Sequence, residues 1–119
     1  MQERRTAPRI DHQIPVTVKA RRESFVVQTK NLSASGAYCV SSSFLAPMTR
    51  LNIQFRLKAG DRSHEIACRG VVVRVNPPSP QRRYAAYDMA IFFSDLSDED
   101  RAAVARYVLR HLQLVSPRE

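Results

Sequence analysis

Phe25-Val26-Val27-Gln28-Thr29-Lys30-Asn31-Leu32-Ser33-Ala34-Ser35-Gly36-Ala37-Tyr38-Cys39-Val40-Ser41 is the stretch that decides the fold. β-Branched and aromatic residues run into Asn31 and resume after Gly36. Residues 25–30 and 37–41 therefore read as two strands, and Asn31–Gly36 as the tight corner between them. Upstream, Ile14-Pro15-Val16-Thr17-Val18-Lys19 alternates with period two, and Pro15 demands an edge or a strand start. Ala20–Glu23 is the polar turn that joins it to the corner strand. Downstream, Leu51-Asn52-Ile53-Gln54-Phe55-Arg56-Leu57-Lys58 is the cleanest alternation in the chain, apolar on one face and polar on the other. Residues 59–63 turn it back into a long fifth strand, His64 to Asn76, in which Gly70 marks a bulge or a point of close approach. The proline-rich Asn76–Arg83 is a hairpin loop, and Tyr84–Phe93 supplies a sixth strand.

After Phe93 the period changes. Ser97 is a good N-cap, and Asp98, Glu99 and Asp100 fill a first helical turn, where carboxylates suit the dipole. Val104, Val108, His111, Leu112 and Val115 share one stripe, with Arg101, Arg106 and Arg110 on a solvated side, and Ser116-Pro117 ends the helix. The expected fold is mostly β: a six-stranded antiparallel β-barrel plugged or flanked by a C-terminal α-helix at about residues 97–115. Residues 14–119 form this single domain, and residues 1–13 a flexible arm that carries Arg4, Arg5 and Arg9. Pro8 keeps that arm extended or turning, so Arg5 and Arg9 stand up to roughly 13 Å apart.

The 119 residues carry 19 Lys+Arg against 11 Asp+Glu, a formal charge of +8, which favours an anionic partner. No apolar run approaches the ~20 residues of a membrane span, and no apolar signal core opens the chain, so the expected setting is cytoplasmic without membrane insertion. Cys39 and Cys68 lie in strand-like runs and read as reduced thiols packed as small hydrophobes. The three histidines and two cysteines have no metal-ligand spacing, and no nucleophile–base constellation or phosphate-cradling glycine loop is present. No metal, cofactor or catalytic residue is expected, and the chain is not read as an enzyme.

Two readings of the corner stand side by side. Asn and Ser bond nearby backbone in ordinary turns, and glycine tolerates positive φ. Alternatively, Asn31 and Ser33 face a base edge while Gly36 allows close approach. The arginine arm is equally open between a solvated tail and a clamp, since guanidinium grips phosphate bidentately, pairs with guanine or lies flat on a purine. A rival is a small basic barrel that binds single-stranded nucleic acid, with Tyr84 and Tyr87 beside Arg82 and Arg83 as a stacking platform. The spread of the basic residues and the burial expected of Phe25, Phe55 and Phe93 disfavour it.

Taken together, Arg4-Arg5-x-x-x-Arg9 followed one hairpin later by Asn31-x-Ser33-x-x-Gly36 resembles the PilZ domain pattern, R-R-x-x-x-R and then D/N-x-S-x-x-G. The resemblance extends over nearly the whole chain. Ala90–Ser97 looks like the family's last strand entering its helix, with Ala90 where glycine is common. What the resemblance implies is a bacterial receptor for cyclic di-GMP. Arg5 and Arg9 would grip phosphate and guanine, Asn31 and Ser33 would meet guanine edges, and Gly36 would shape the corner. Arg4 matches the optional arginine associated with a stacked, intercalated pair of ligand molecules. Asn31 stands where many members have aspartate. Ligand binding would order the arm and present a changed surface to a downstream protein partner. A member used only for protein interaction would have no need of Arg4, Arg5 and Arg9 together.

Overall fold

The structure, a computed structural model, describes residues 9–11, 13–80 and 86–115, with the backbone alone at position 9 and at 113–115. Among the described residues seven strands and one helix follow in order: β1 (Arg9–Ile10), β2 (Pro15–Ala20), β3 (Glu23–Ser33), β4 (Gly36–Ser41), β5 (Arg50–Ala59), β6 (Arg62–Asn76), β7 (Tyr87–Phe93) and α1 (Asp98–Val115). All pairings are antiparallel. The order β3–β2–β5–β6–β7–β4 closes on itself through β3–β4, giving the expected six-stranded barrel with a C-terminal helix. β1 is a short seventh strand added to β3. Its residues fall in the stretch read from the sequence as an extended or turning arm. Two residues carry no legible period, and their strand geometry comes from the neighbour they pair with.

Alternation accounts for the barrel wall. Leu51, Ile53, Phe55 and Leu57 of β5 all point inward and are buried, and the polar residues between them are exposed. Val16, Val18, Val27, Ile66, Val72, Met89, Ile91 and Phe93 complete the interior, where Phe55 and Phe93 stack at 5.8 Å. Phe25 is only partly buried and packs on this core. The register slips at Lys30 in β3, between Thr29 and Asn31, and at Val73 in β6, between Val72 and Arg74. Gly70 is therefore the close-approach point rather than the bulge. A Cβ there would meet Ile53 Cδ1 at 2.5 Å and the Phe92 carbonyl oxygen at 2.7 Å.

Helix α1 begins as its sequence requires. Ser97 Oγ accepts the Asp100 amide at 3.0 Å, and the Ser97 carbonyl accepts that of Arg101 at 2.8 Å. Val104 and Val108 are buried as expected, together with Ala103 and Tyr107, while His111 and Leu112 are half-buried. His111 packs on Tyr107 with ring centroids 4.2 Å apart. The helix rests on β1, β3 and β5. His64 Nε2 lies 2.9 Å from Asp100 Oδ1, so one helix-start carboxylate also ties α1 to β6.

Candidate functional site

The corner is built largely by its own side chains. The bulge at Lys30 turns Leu32 into the core and leaves Asn31 and Ser33 on the other face of β3. Ser33 Oγ accepts the Ser35 amide at 3.2 Å and lies 3.0 Å from Ser35 Oγ and 3.4 Å from the Gly36 carbonyl oxygen. Ser33 is only 2 % exposed, so its hydroxyl is engaged in holding the turn. The turn is tied to the rest of the protein by two further bonds. The Phe93 amide donates to the Ser35 carbonyl at 3.0 Å, and Arg101 Nη1 donates to the Ala34 carbonyl at 3.0 Å. The Arg101 bond is invisible in the helical period, which assigned that residue to the solvated side.

Gly36 does not have a positive φ. Its lack of a side chain matters because β4 presses on β7: a Cβ would overlap the Ile91 carbonyl oxygen. Close approach is thus the reason for glycine, and the approaching group is backbone.

The arm meets this corner directly. In the β1–β3 register Arg9 stands opposite Ser33 and Ile10 opposite Leu32. The last arginine of the first motif and the serine of the second are therefore cross-strand neighbours. Arg4 and Arg5 lie outside the described residues. Cross-strand register then defines an outer patch beside the corner. One row runs Asn31–Tyr38–Ala90–Arg74, and the next runs Ser33–Gly36–Phe92–Val71. Phe92 is 48 % exposed, Arg74 is exposed, and Lys30 Nζ sits 5.6 Å from the centre of the Tyr38 ring while pairing with Asp88 at 3.4 Å. Sequence reasoning missed Tyr38, Arg74 and Phe92. The outward phase of β4, β6 and β7 was legible, but their convergence on this corner depends on which strands pair.

Tyr87, which the rival nucleic-acid reading would use for stacking, is buried, and Phe44 packs against it edge-on at 5.5 Å. Tyr84, Arg82 and Arg83 lie outside the described residues. The thiols are free: burial pushes Cys39 up to about 12, and burial with the nearby Asp95 and Asp100 carboxylates pushes Cys68 up to about 11. Asp95 is held below the usual carboxylate range by the amide and guanidinium of Arg69, at 2.6 and 2.8 Å. Among the described residues no cluster of three or more His, Cys, Asp or Glu side chains is arranged to hold a metal ion, and no helix is long and apolar enough to cross a membrane.

A closed six-stranded barrel with a C-terminal helix, and a short strand that sets Arg9 opposite the serine of an N-x-S-x-x-G corner, define a class of small β-barrel domain. The chain belongs to the PilZ domain family, whose model matches residues 3–110. Among solved structures it is similar to the Bacillus subtilis inhibitor of motility MotI/DgrA, with a TM-score of 0.80 and 24 % identity. That match covers 98 % of this chain and 55 % of the Bacillus chain, so this chain spans about half the length of that protein. It is also similar to the PilZ domain of YcgR from Escherichia coli, solved with c-di-GMP, with a TM-score of 0.70, 11 % identity and 94 % of each chain covered. No curated protein matches the chain by sequence.

Proposed function

We propose that this PilZ domain is a receptor for cyclic di-GMP, bound between the Arg4–Arg5–Arg9 arm and the Asn31–Gly36 corner. The observation that carries this reading is the pairing of Arg9, the last residue of the first motif, with Ser33 of the second. Arg5 and Arg9 clamp phosphate and guanine, because guanidinium supplies bidentate and stacking contacts together. Asn31 meets a guanine edge. Ser33, whose hydroxyl is already engaged, acts by fixing the backbone of the corner. The outer patch of Tyr38, Phe92 and Arg74 offers a flat apolar ring and a further cation to the second molecule of a stacked pair, the role assigned to Arg4 on the arm. Ordering of the arm over the ligand is the switch presented to a protein partner. Membership of the PilZ family and the c-di-GMP in the YcgR structure support the choice of ligand.

The test is calorimetric titration with cyclic di-GMP beside GTP and a mixed-sequence oligonucleotide. Saturable binding of cyclic di-GMP alone is expected, with a stoichiometry near two. Arg5→Ala and Arg9→Ala each remove measurable binding while leaving the circular dichroism spectrum unchanged. Tight binding retained by both variants would overturn the assignment. A salt-sensitive preference for the oligonucleotide would favour the nucleic-acid barrel instead.

A further inference from the structure

Among the described residues, the two non-glycine residues with positive φ are Arg21 (φ 60°) and Met48 (φ 74°). Each occupies a turn position that normally goes to glycine or asparagine. Arg21 is the first residue of the two-residue connection between Ala20 and Glu23, which face each other across β2 and β3. Met48 follows Pro47 in the Ala46–Thr49 turn, closed by the Thr49 amide on the Ala46 carbonyl at 3.2 Å. A large side chain in either place is strained where glycine is not.

The two strained residues are neighbours on one rim of the barrel. Arg21, Met48 and Arg50 together line two adjoining hollows. One lies toward Arg22 and Phe44, and the other toward Lys19, Asn52 and Arg69. The three form the ridge between them. Its support is rigid. The Met48 amide donates to the Val72 carbonyl at 2.6 Å, the Val72 amide to the Thr49 carbonyl at 3.0 Å, and Thr49 Oγ1 to the Ala46 carbonyl at 2.6 Å. Met48 is thereby held 76 % exposed, the most exposed large apolar side chain among the described residues. Around it stand Lys19, Arg21, Arg22 and Arg50, and none of them is ion-paired among the described residues. Of the carboxylates lining the hollows, Asp95 is engaged by Arg69, which leaves Glu23.

We propose that this ridge docks an acidic, amphipathic segment of a protein partner, with an apolar side chain against Met48 and carboxylates on Arg21, Arg22 and Arg50. Strain at adjacent turns that glycine would relieve is accounted for when the side chains themselves are used. Methionine suits an apolar contact that must adapt, and arginine suits the carboxylates. The hollows on both sides of the ridge fit a convex segment rather than a flat bilayer. A single-stranded nucleic acid would want exposed rings, yet Phe44, the ring beside the ridge, is packed on Tyr87. Arg21 precedes β3 and the corner ends it, while Arg50 pairs with Val71 at the far end of the row that starts at Ser33; the ridge uses none of the candidate ligand residues, and its docking does not depend on the ligand assignment.

The experiment is an NMR titration of the full chain with a synthetic peptide that places Leu and Glu at helical spacing, followed at the Met48 methyl and Arg21 amide. Oligoglutamate of equal length, a mixed oligonucleotide and anionic vesicles are run in parallel. Saturable shifts at both signals with the Leu/Glu peptide are expected, weakened at least tenfold in Met48→Gly and in Arg21→Gly. Both variants should unfold at the same temperature as the parent or higher, because they relieve strain. The proposal is overturned by absent peptide binding, by equal binding of oligoglutamate, by binding unchanged in the variants, or by tighter binding of the oligonucleotide or vesicles. Unfolding temperatures lowered in both variants would likewise overturn it, since the side chains would then serve the fold.

Discussion

Replacing Gly36 by alanine separates a packing role from a ligand-approach role at the corner. The new Cβ would overlap the Ile91 carbonyl oxygen, with the Ile91 carbonyl carbon at 3.2 Å and Phe92 Cα at 3.3 Å, all of them backbone. Carbon and carbonyl oxygen settle at about 3.3 Å even in close sheet contacts, so β4 must retreat from β7 by about an ångström. That shift stretches the Phe93 amide to Ser35 carbonyl bond and the ladder bond of the adjacent Ala37–Ile91 pair, whose Ile91 carbonyl is the group overlapped, beyond useful length. Two lost bonds at about 1 kcal/mol each, with about 1 kcal/mol of overpacking, come to about 3 kcal/mol. For a chain of 119 residues this lowers the melting temperature by about 12 °C. Urea unfolding followed by circular dichroism measures the loss, and ligand titration at low temperature, where the variant is still folded, measures binding separately. Lost binding with a stability within about 0.5 kcal/mol of the parent would refute the packing argument and leave Gly36 as a ligand-approach residue.

Arg101→Ala removes the bond to the Ala34 carbonyl. It should cost about 1 kcal/mol in urea unfolding and weaken ligand binding through a looser corner, without touching the ligand itself. Asp95→Asn tests the Arg69 pair through pH. Because the folded carboxyl is depressed, its contribution is present above the ordinary carboxylate range and lost as pH falls through the folded value. Parent and variant should therefore differ by a constant amount near neutrality and converge in strong acid. Native Cys68, raised to about 11, should alkylate about 200-fold more slowly than a free thiol at pH 8, and Cys39 more slowly still, with both reacting at ordinary rates in urea.

The barrel was legible because its strands report their own phase. Leu51–Lys58 alternates without a break, and every inward position is buried. The Ser97 cap was legible for the same local reason. What escaped depends on contacts between distant residues. The bulge at Lys30 leaves no mark in the composition of β3, yet it sets which face Asn31 and Ser33 occupy. Tyr87 has an exposed-looking neighbourhood in sequence and is covered by Phe44 from another loop. Gly36 could be read as a special position, but the Ile91 carbonyl that makes it special lies 55 residues away. Arg101 belongs to the polar side of its helix and reaches the corner through tertiary placement alone. The candidate ligand residues follow from motif order, and the one meeting the described residues show, Arg9 opposite Ser33, is a consequence of the β1–β3 register.

That register also guards the sheet against copies of itself. β2 accompanies β3 as far as Gln28, with Ile14 bonded to Thr29 beyond it, and β4 covers the opposite side up to Ser33. On the β2 side, Leu32 and Ser33 are covered by Ile10 and Arg9. Removing the first ten residues would strip that cover and open a short row of unpaired amides and carbonyls next to the buried Leu32, a template for strand addition by a second molecule. A chain shortened from the front thus loses more than the arginines of the proposed clamp. It gains an adhesive edge, and its tendency to self-associate becomes a readout of whether the arm is in place.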